Sequence, residues 1–487
     1  MFTRGAMMPL RRWESDLEKA KAMRTSFRHV VPALLGLLLA ASVAAAETDY
    51  ESLAVPHLSG YLKVDTVNPP GNESRGVAYL AKILDAHGIP YSTGESAPGR
   101  GNLWARLPGG DEPGIVLLHH IDVVPADLDY WDFDPLSGEV KDGYIYGRGA
   151  LDTKGLGILH LEAFLALKES GEPLNRDVWF VATADEEAGG AFGAGWMVEA
   201  HEEVFSDVGF LLNEGGAVQQ IGDEYAMMVE VTQKVPLWLR LTAVGRPGHG
   251  SAPQVETSVT RLIRAAHRIA ETQFTPRVVP SVDQMIRGLA PMQGEARAKA
   301  FADPQRTIQD DEFMLALQME DPALNALFRN TCSITRLGGS SKINVVPSEA
   351  YAELDCRLLP DQDPEAFVAE LTTIIDDEKV KIERILGFTP AVSSTETELF
   401  ELIGATGNED LPSLRVIPSV SGGFTDSHFF RDMGIVSYGY SPFVMPTTER
   451  RGIHGNNERI SVENMQRGTR VMIDLLRQFT VEKGSAD

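Results

Sequence analysis

The stretch LLHHIDVVP, Leu117–Pro125, runs from apolar residues directly into two histidines and an aspartate, and then ends at a proline. His120 and Asp122 are two residues apart, so on an extended chain their side chains point to the same side and His119 points to the other. Asp122 can then accept a hydrogen bond from His120, or hold the loop that does so, as a metal-binding histidine requires. The alternative interpretation is a solvated strand end.

Strand-like and helix-like segments alternate around this stretch. The strand-like segments are NLWARL, GIVLLHH, DVWFVATA and VGFLLNE, and the helix-like ones are RGVAYLAKILDAH, residues 157–169 and AFGAGWMVEAH. This alternation predicts an α/β fold with a mostly parallel sheet that is flanked by helices on both faces. In such sheets a ligand binds beyond the carboxyl ends of the strands.

The sequence changes character near Pro236. A strand, a helix at about 256–270, a poorly periodic stretch at about 275–330, two more strands and a helix that starts at Asp363-Pro364 follow. This order predicts a small α+β domain inserted at 236–387, between the two parts of the larger domain at 47–235 and 388–487. The final helix begins after Ser461.

Residues 1–46 differ from the rest of the chain. A basic flank from Met23, an apolar run and Ala44-Ala45-Ala46 are typical of a secretory signal peptide cleaved before Glu47, and residues 1–22 can reflect an upstream start codon. We therefore expect a periplasmic or secreted protein. An uncleaved membrane anchor at the N-terminus is the alternative.

The charge of the chain argues against one class of function. The formal net charge of −25 and the lack of a basic patch argue against binding of nucleic acid.

Cys332 and Cys356 are the two cysteines, each in a strand-like run, and the two runs could pair. Two small buried side chains are favoured over a disulfide, which an exported protein would permit.

Four further clusters place carboxylates or a histidine beside glycine-rich turns. They are GRGALDTKG with Asp152, ADEEAGG with Glu186 and Glu187, LLNEGG with Glu214, and GIHGNNERIS with His454. Each is weak alone, since Asp152 could be an ordinary helix cap. Together with His120 they form the ligand set of a two-metal hydrolytic site, in which one carboxylate of a neighbouring pair binds metal and the other takes up protons.

In this order, HxDVVP, GRG-x-x-D-x-K, DEE-x-G, an acid before glycine and a late HG resemble the M20 family of dizinc amidohydrolases and exopeptidases. The resemblance covers the chain after residue 46 and is greatest to the branch of carboxypeptidase S and the secreted N-acyl-amino-acid hydrolases. It implies a zinc-exopeptidase-like catalytic domain with an inserted lid and dimerisation domain. It also implies two Zn²⁺ per chain, with Co²⁺ or Mn²⁺ as other possible metals.

The resemblance also implies a role for each site residue. His120, Asp152 and Glu214 would bind one zinc, while Asp152, Glu187 and His454 would bind the other. Glu186 would be the general base, Asp122 would orient His120, and His249 would stabilise the oxyanion, commonly in the site of a partner subunit. The substrate and its carboxylate would contact Asn344, Arg357, Gly423 and Thr425.

Two positions depart from the family pattern. SGGFTDSHFF contains an extra Phe424, which makes the role of Thr425 less certain, and Asn213 precedes Glu214 where aspartate is more frequent. The expected function is hydrolysis of an amide beside a free carboxylate, in short peptides or N-acyl amino acids, by a homodimer. A strict N-acyl-amino-acid hydrolase and an inactive metal-bound binding protein are the alternatives.

Overall fold

The computed structural model describes residues 48–482, apart from the side chains of Thr447 and Thr448. The predicted signal peptide and its cleavage site lie outside this range. The strands are β1 Tyr91–Glu95, β2 Gly101–Leu107, β3 Glu112–His120, β4 Glu139–Lys141, β5 Tyr144–Tyr146, β6 Arg176–Thr183, β7 Val208–Asn213, β8 Ala217–Ile221, β9 Glu224–Gln233, β10 Val235–Val244, β11 Gly248–His249, β12 Thr331–Gly338, β13 Val345–Val346, β14 Glu349–Leu358, β15 Val380–Gly387, β16 Arg415–Ser421, β17 Val436–Gly439 and β18 Arg459–Ser461.

Helices lie in seven of the connections between these strands, before β1 and after β18. They are α1 Tyr50–Leu62, α2 Glu73–Ala86, α3 Lys154–Ser170, α4 Ala194–Ala200, α5 Ser258–Glu271, α6 Pro280–Leu289, α7 Glu295–Phe301, α8 Pro304–Thr307, α9 Asp311–Glu320, α10 Pro322–Ala326, α11 Pro364–Ile375, α12 Glu398–Asp410, α13 Ser427–Asp432, α14 Thr447–Arg450 and α15 Val462–Thr480. Among residues 48–482, none of them has the length and apolar character needed to span a membrane.

The central sheet has nine strands in the order β1-β2-β6-β3-β7-β17-β9-β16, with β8 beside β9. Its middle, β6-β3-β7-β17, is parallel, whereas its outer pairs include antiparallel ones. Along β3, Ile115 and Leu117 pack into one core, and Val116 and Leu118 pack into the core on the other face. Successive side chains of a strand point to opposite faces, so the apolar run Ile115–Leu118 of β3 is buried because both faces of the sheet are covered. The predicted α/β fold is confirmed.

A second, antiparallel sheet has the order β12-β14-β10-β15 and packs against α5 and α11 in a core of its own. Its strands lie between Val235 and Gly387, which supports the predicted inserted domain; the domain limits stay a prediction. Cys332 and Cys356 face each other on β12 and β14 and form a disulfide. The preference for two reduced cysteines is therefore wrong, because the strand register brings the two sulfur atoms together.

The poorly periodic stretch at 275–330 forms five short helices, α6 to α10. Val282 and Ile286 of α6 pack with Ile417 and Val420 of β16, so this segment covers the outer strand of the central sheet. Its helices have 4 to 10 residues, too few turns for a clear apolar period.

Candidate metal centre

Five predicted ligands meet where three adjacent parallel strands end. His120 is the last residue of β3, Glu187 lies in a 3-10 turn after β6, and Glu214 follows β7. Asp152 lies between β5 and α3, and His454 lies in the turn before β18. Because β18 pairs with β5, the turns that hold His454 and Asp152 are brought side by side.

The two oxygens of Asp152 face different histidines. Oδ1 lies 3.1 Å from Nε2 of His120, and Oδ2 lies 3.1 Å from Nε2 of His454. Nε2 of His120 is also 3.6 Å from Oε2 of Glu214, and Nε2 of His454 is 3.0 Å from Oε2 of Glu187. The five side chains thus form two adjoining groups that share one carboxylate.

Asp122 supports this site through both its backbone and its side chain. Nδ1 of His120 donates to the backbone carbonyl of Asp122 at 2.9 Å, which leaves Nε2 free to face the cluster. The carboxylate of Asp122 instead accepts hydrogen bonds from the backbone N–H groups of Glu186 and Glu187, at 3.1 and 3.2 Å, and from the Asn68 amide. One residue therefore orients both the histidine and the two glutamates.

The cluster holds more negative charge than its histidines balance. Burial raises the pKa of Glu186 well above its usual range, and the charge of Glu214 adds to this effect. Burial also raises the pKa of Glu214 to about 7. Hydrogen bonds to Asp152 and Glu187 raise the pKa of His454 to about 10. A bound cation would replace these protons and stabilise the charged carboxylates.

The side chains fit divalent metal ions. Ligand atoms of His120, Glu186 and Glu214 lie within 4.8 Å of one another, as do those of His120, Asp152 and Glu187. Oε1 of Glu187 is buried and has no hydrogen-bond partner among the described residues. Imidazole nitrogen with carboxylate oxygen is a donor set that zinc accepts.

Arg357 lies on β14, and two of its three side-chain nitrogens have hydrogen-bond partners. Its Nε and Nη2 donate to the two carboxylate oxygens of Asp355, at 2.7 and 3.2 Å, while Nη1 is buried without a partner in the described range. The Phe424 ring centre lies 5.4 Å from the guanidinium carbon. Thr425 is buried and bonds to Gln233, and Gly423 is exposed in the same loop.

His249 and Asn344 lie together, but the contacts within one chain do not bring them to the cluster. His249 pairs with Val345 in a two-stranded sheet of β11 and β13, and Gly250 donates to the Asn344 carbonyl. Both residues are exposed, and neither lines the cavity described next.

A cavity of about 450 Å³ opens beside the cluster, with Asp152 and Glu214 in its wall. Much of the rest is apolar, and Arg450 adds one positive charge. The apolar side chains are Leu151, Ala217, Met228, Met285, Val420, Phe424, Phe443, Met445 and Ile453. Sequence reasoning missed Arg450 and Met285, because both lie in segments that gave no site pattern.

Known proteins resemble the chain in sequence and in fold. The profile of peptidase family M20/M25/M40 matches residues 116–478. The N-fatty-acyl-amino acid synthase/hydrolase PM20D1 of Xenopus tropicalis is 32% identical over 381 residues, 75% of this chain and 71% of that protein. The probable carboxypeptidase S-like 2 of Dictyostelium discoideum is 28% identical over 378 residues, 74% of this chain and 70% of that protein.

Among solved structures, the M20 family metallo-carboxypeptidase Sso-CP2 from Sulfolobus solfataricus has a TM-score of 0.68 at 20% sequence identity, covering 87% of this chain and 98% of that one. This likeness concerns the fold. The family profile spans most of the central sheet and all five predicted ligands. The chain therefore belongs to peptidase family M20/M25/M40 and is a metallopeptidase or amidohydrolase of that family.

Proposed function

We propose that this protein is an exported dizinc amidase that cleaves an amide bond next to a free carboxylate, in N-acyl amino acids or short peptides. The proposal rests on the geometry of Asp152: its two oxygens each lie 3.1 Å from a different histidine. His120, Asp152 and Glu214 would hold one zinc, and Asp152, Glu187 and His454 would hold the other. When bound, zinc supplies a Lewis acid for the amide carbonyl and a water molecule of lowered pKa.

Glu186 would act as the base. Its raised pKa and its place beside the predicted ligands suit a carboxylate that takes a proton from the attacking water and passes it to the leaving nitrogen. The new bond joins the water oxygen to the carbonyl carbon, the carbon–nitrogen bond breaks, and an amine and a carboxylic acid leave. Oε2 of Glu186 lies 4.0 Å from Nε2 of His120. Experiments on Glu186 must therefore distinguish a base from a metal ligand.

The free carboxylate of the substrate has two candidate partners. Arg357 offers the unpartnered Nη1, and its other nitrogens are held by Asp355. Arg450 lines the cavity beside Asp152, and no acidic partner for its guanidinium is found within the described part of the chain. Arg357 is our proposal because Asp355 holds its guanidinium in one orientation and leaves Nη1 to donate to the carboxylate.

The apolar cavity supports an acyl group or an apolar side chain on the other side of the scissile bond. Three methionines in the wall give a surface that adapts to flexible chains. The names of the Xenopus relative and of the Dictyostelium relative point to N-fatty-acyl amino acids and to peptides, respectively. We propose N-acyl amino acids first, because the lining is predominantly apolar. A strict N-acyl-amino-acid hydrolase is the close alternative, and an inactive binding protein is disfavoured because Glu186 is present.

The experiment that tests this function compares three substrates: an N-acyl amino acid, the same compound with its carboxylate converted to an amide, and a dipeptide. We expect the first to be cleaved fastest and the second to lose at least about 100-fold in kcat/KM, the size of effect when charged groups of the site lose their partner. Equal rates on the first two would contradict the free-carboxylate requirement. Arg357→Met should abolish the discrimination, and Arg450→Met should leave it; the reverse result would exchange their roles.

We further propose a homodimer through the inserted domain at 236–387, with His249 and Asn344 completing the site of a second copy. Their exposed position, away from the cavity of their own chain, supports this arrangement. The Cys332–Cys356 disulfide supports export, because disulfides persist in oxidising compartments.

A further inference from the structure

A buried ion pair joins two segments that are 310 residues apart. Arg148 lies between β5 and Asp152, and Glu458 lies between His454 and β18. Nη1 of Arg148 is 2.7 Å from Oε2 of Glu458, and the side chains are 3% and 0% exposed. Arg148 belongs to the GRGALDTKG motif and Glu458 to the GIHGNNERIS motif. Among the described residues, their side chains bond to the backbone around the predicted ligands and not to the ligand side chains.

Glu458 binds the backbone of the segment that holds Asp152. Its Oε1 accepts hydrogen bonds from the N–H groups of Leu151 and Asp152, at 2.7 and 3.2 Å. Its Oε2 accepts from the N–H of Gly149 at 3.1 Å, beside the bond from Arg148. Four donors therefore converge on one carboxylate, which fixes the path of the chain into Asp152.

Arg148 binds the turn that holds His454. Its Nη2 donates to the carbonyl of Gly455 at 2.8 Å, and its Nη1 lies 3.4 Å from the carbonyl of Gly452. His454 has a φ of 53°, a backbone conformation that residues other than glycine seldom adopt without support. The Trp131 ring lies 5.1 Å from the guanidinium and covers it. The guanidinium thus spans the turn on both sides of His454.

We propose that Arg148 and Glu458 are positioning residues that set the spacing between Asp152 and His454. The pair holds both backbones, and the result is the 3.1 Å separation of Asp152 Oδ2 from His454 Nε2. Loss of either charge leaves the other charge buried without a partner of opposite charge. The metal ion bound by Asp152, Glu187 and His454 would then lose affinity, while the other ion would be less affected. The nature of the ion rests on the proposed function; the spacing does not.

The test uses the full chain with Glu458→Gln and Arg148→Lys. Glutamine keeps the shape of glutamate but loses its charge and one acceptor oxygen, and lysine keeps the charge but cannot span Gly452 and Gly455. We expect one of two zinc ions to bind ten- to a hundredfold more weakly in competition with a chelator, as is typical for residues that support a ligand. In metal-free protein, amide exchange should rise together at 149–152 and 452–455.

A matched control is available in the pair Arg431–Glu230, which is 2% and 0% exposed. Arg431 also bonds to Ser393 and Ser437, none of which is a predicted ligand. Glu230 packs against Gly215, next to Glu214, and not against the segments of Asp152 and His454. Glu230→Gln should therefore lower thermal stability without changing exchange at 149–152 and 452–455 or the affinity of the ion at Glu187 and His454. If Glu458→Gln fails to fold, Arg148→Lys decides by the same readouts.

The outcomes separate this proposal from the proposed function. Wild-type zinc affinity and unchanged exchange in a folded variant would overturn the positioning role. An equal loss of affinity in the Glu230→Gln control would overturn it as well, because the effect would then follow from general destabilisation. Wild-type protein that binds no metal would refute the proposed function instead; coupled exchange at the two segments would still support the structural link.

Discussion

Asp152 is the residue that joins the two halves of the cluster. Its two carboxylate oxygens lie 3.1 Å from different histidines, so one side chain belongs to both halves of the cluster. A shared carboxylate holds two cations close together with fewer negative charges than two separate ligands would need. Glu186 and Glu187 follow each other in sequence, yet we assign them different roles, and this difference can be measured.

We expect Glu186→Gln to keep both metal ions and to lose about 100- to 10,000-fold in turnover, because glutamine cannot take up a proton. The neighbouring Glu187→Gln is the matched comparison. It should lose metal along with activity, since Glu187 faces His454 at 3.0 Å. Metal content of the purified variants and kcat on one N-acyl amino acid distinguish the two.

Near-normal turnover in Glu186→Gln would place the base elsewhere. Loss of metal from Glu186→Gln would make Glu186 a ligand, a role that its 4.0 Å separation from His120 Nε2 also permits.

The cluster itself could be predicted because each ligand follows a strand or a turn with a local pattern of its own. Arg148 and Glu458 could not be assigned a role, because it depends on a contact across 310 residues. The role of the Asp122 carboxylate also could not be assigned from the local sequence. The spacing HxD predicts a link to His120, but the bonds to the backbone of Glu186 and Glu187 come from the β3–β6 pairing.

At the scale of elements, long amphipathic segments were predicted well. Asp363 caps α11 with its side chain, Pro364 is the first helical residue, and Ser461 caps α15. The short helices α6 to α10 were missed, although Asp303-Pro304 and Asp321-Pro322 carry the same cap signal. They share a core with β16, which lies more than 80 residues further along the chain and cannot be recognised from the local pattern.

The disulfide gives a prediction for the second sheet. Cys332 and Cys356 close a loop with a sequence separation of 24, so the double variant Cys332→Ala/Cys356→Ala should lose about 3 kcal/mol of stability. Urea unfolding of the oxidised protein, the reduced protein and the variant measures this effect. Ser333→Ala, on the same strand, is the control and should leave the midpoint unchanged.

Reduced wild type and the double variant should unfold at the same, lower urea concentration. An unchanged midpoint under reducing conditions would mean that β12 and β14 are held by their other contacts alone.

At the level of the whole molecule, we propose that a second copy completes the site of one chain. His249 and Asn344 are exposed on the β11–β13 sheet. Nearby in sequence, Val255 and Ile343 are almost fully exposed apolar residues, and β12 is an edge strand of the second sheet. Exposed apolar side chains and an open strand edge are each typical of surfaces that a second copy covers.

Mixing two inactive variants tests this arrangement. His249→Ala and Glu186→Gln subunits, exchanged at equal amounts, should regain roughly a quarter of wild-type activity, because half of the dimers are mixed and each has one intact site. Glu186→Gln mixed with Glu187→Gln is the control and should regain none, since both residues belong to the same subunit's site. No recovery in the first mixture would place His249 in its own chain's site or outside it.

We propose that two metal ions at Asp152 perform the hydrolysis. The most direct test is zinc content per chain together with hydrolysis of an N-acyl amino acid, before and after removal of metal by a chelator. We expect about two zinc ions per chain, loss of activity with their removal, and its return when zinc is added back. Full activity in protein that contains no metal would contradict the account.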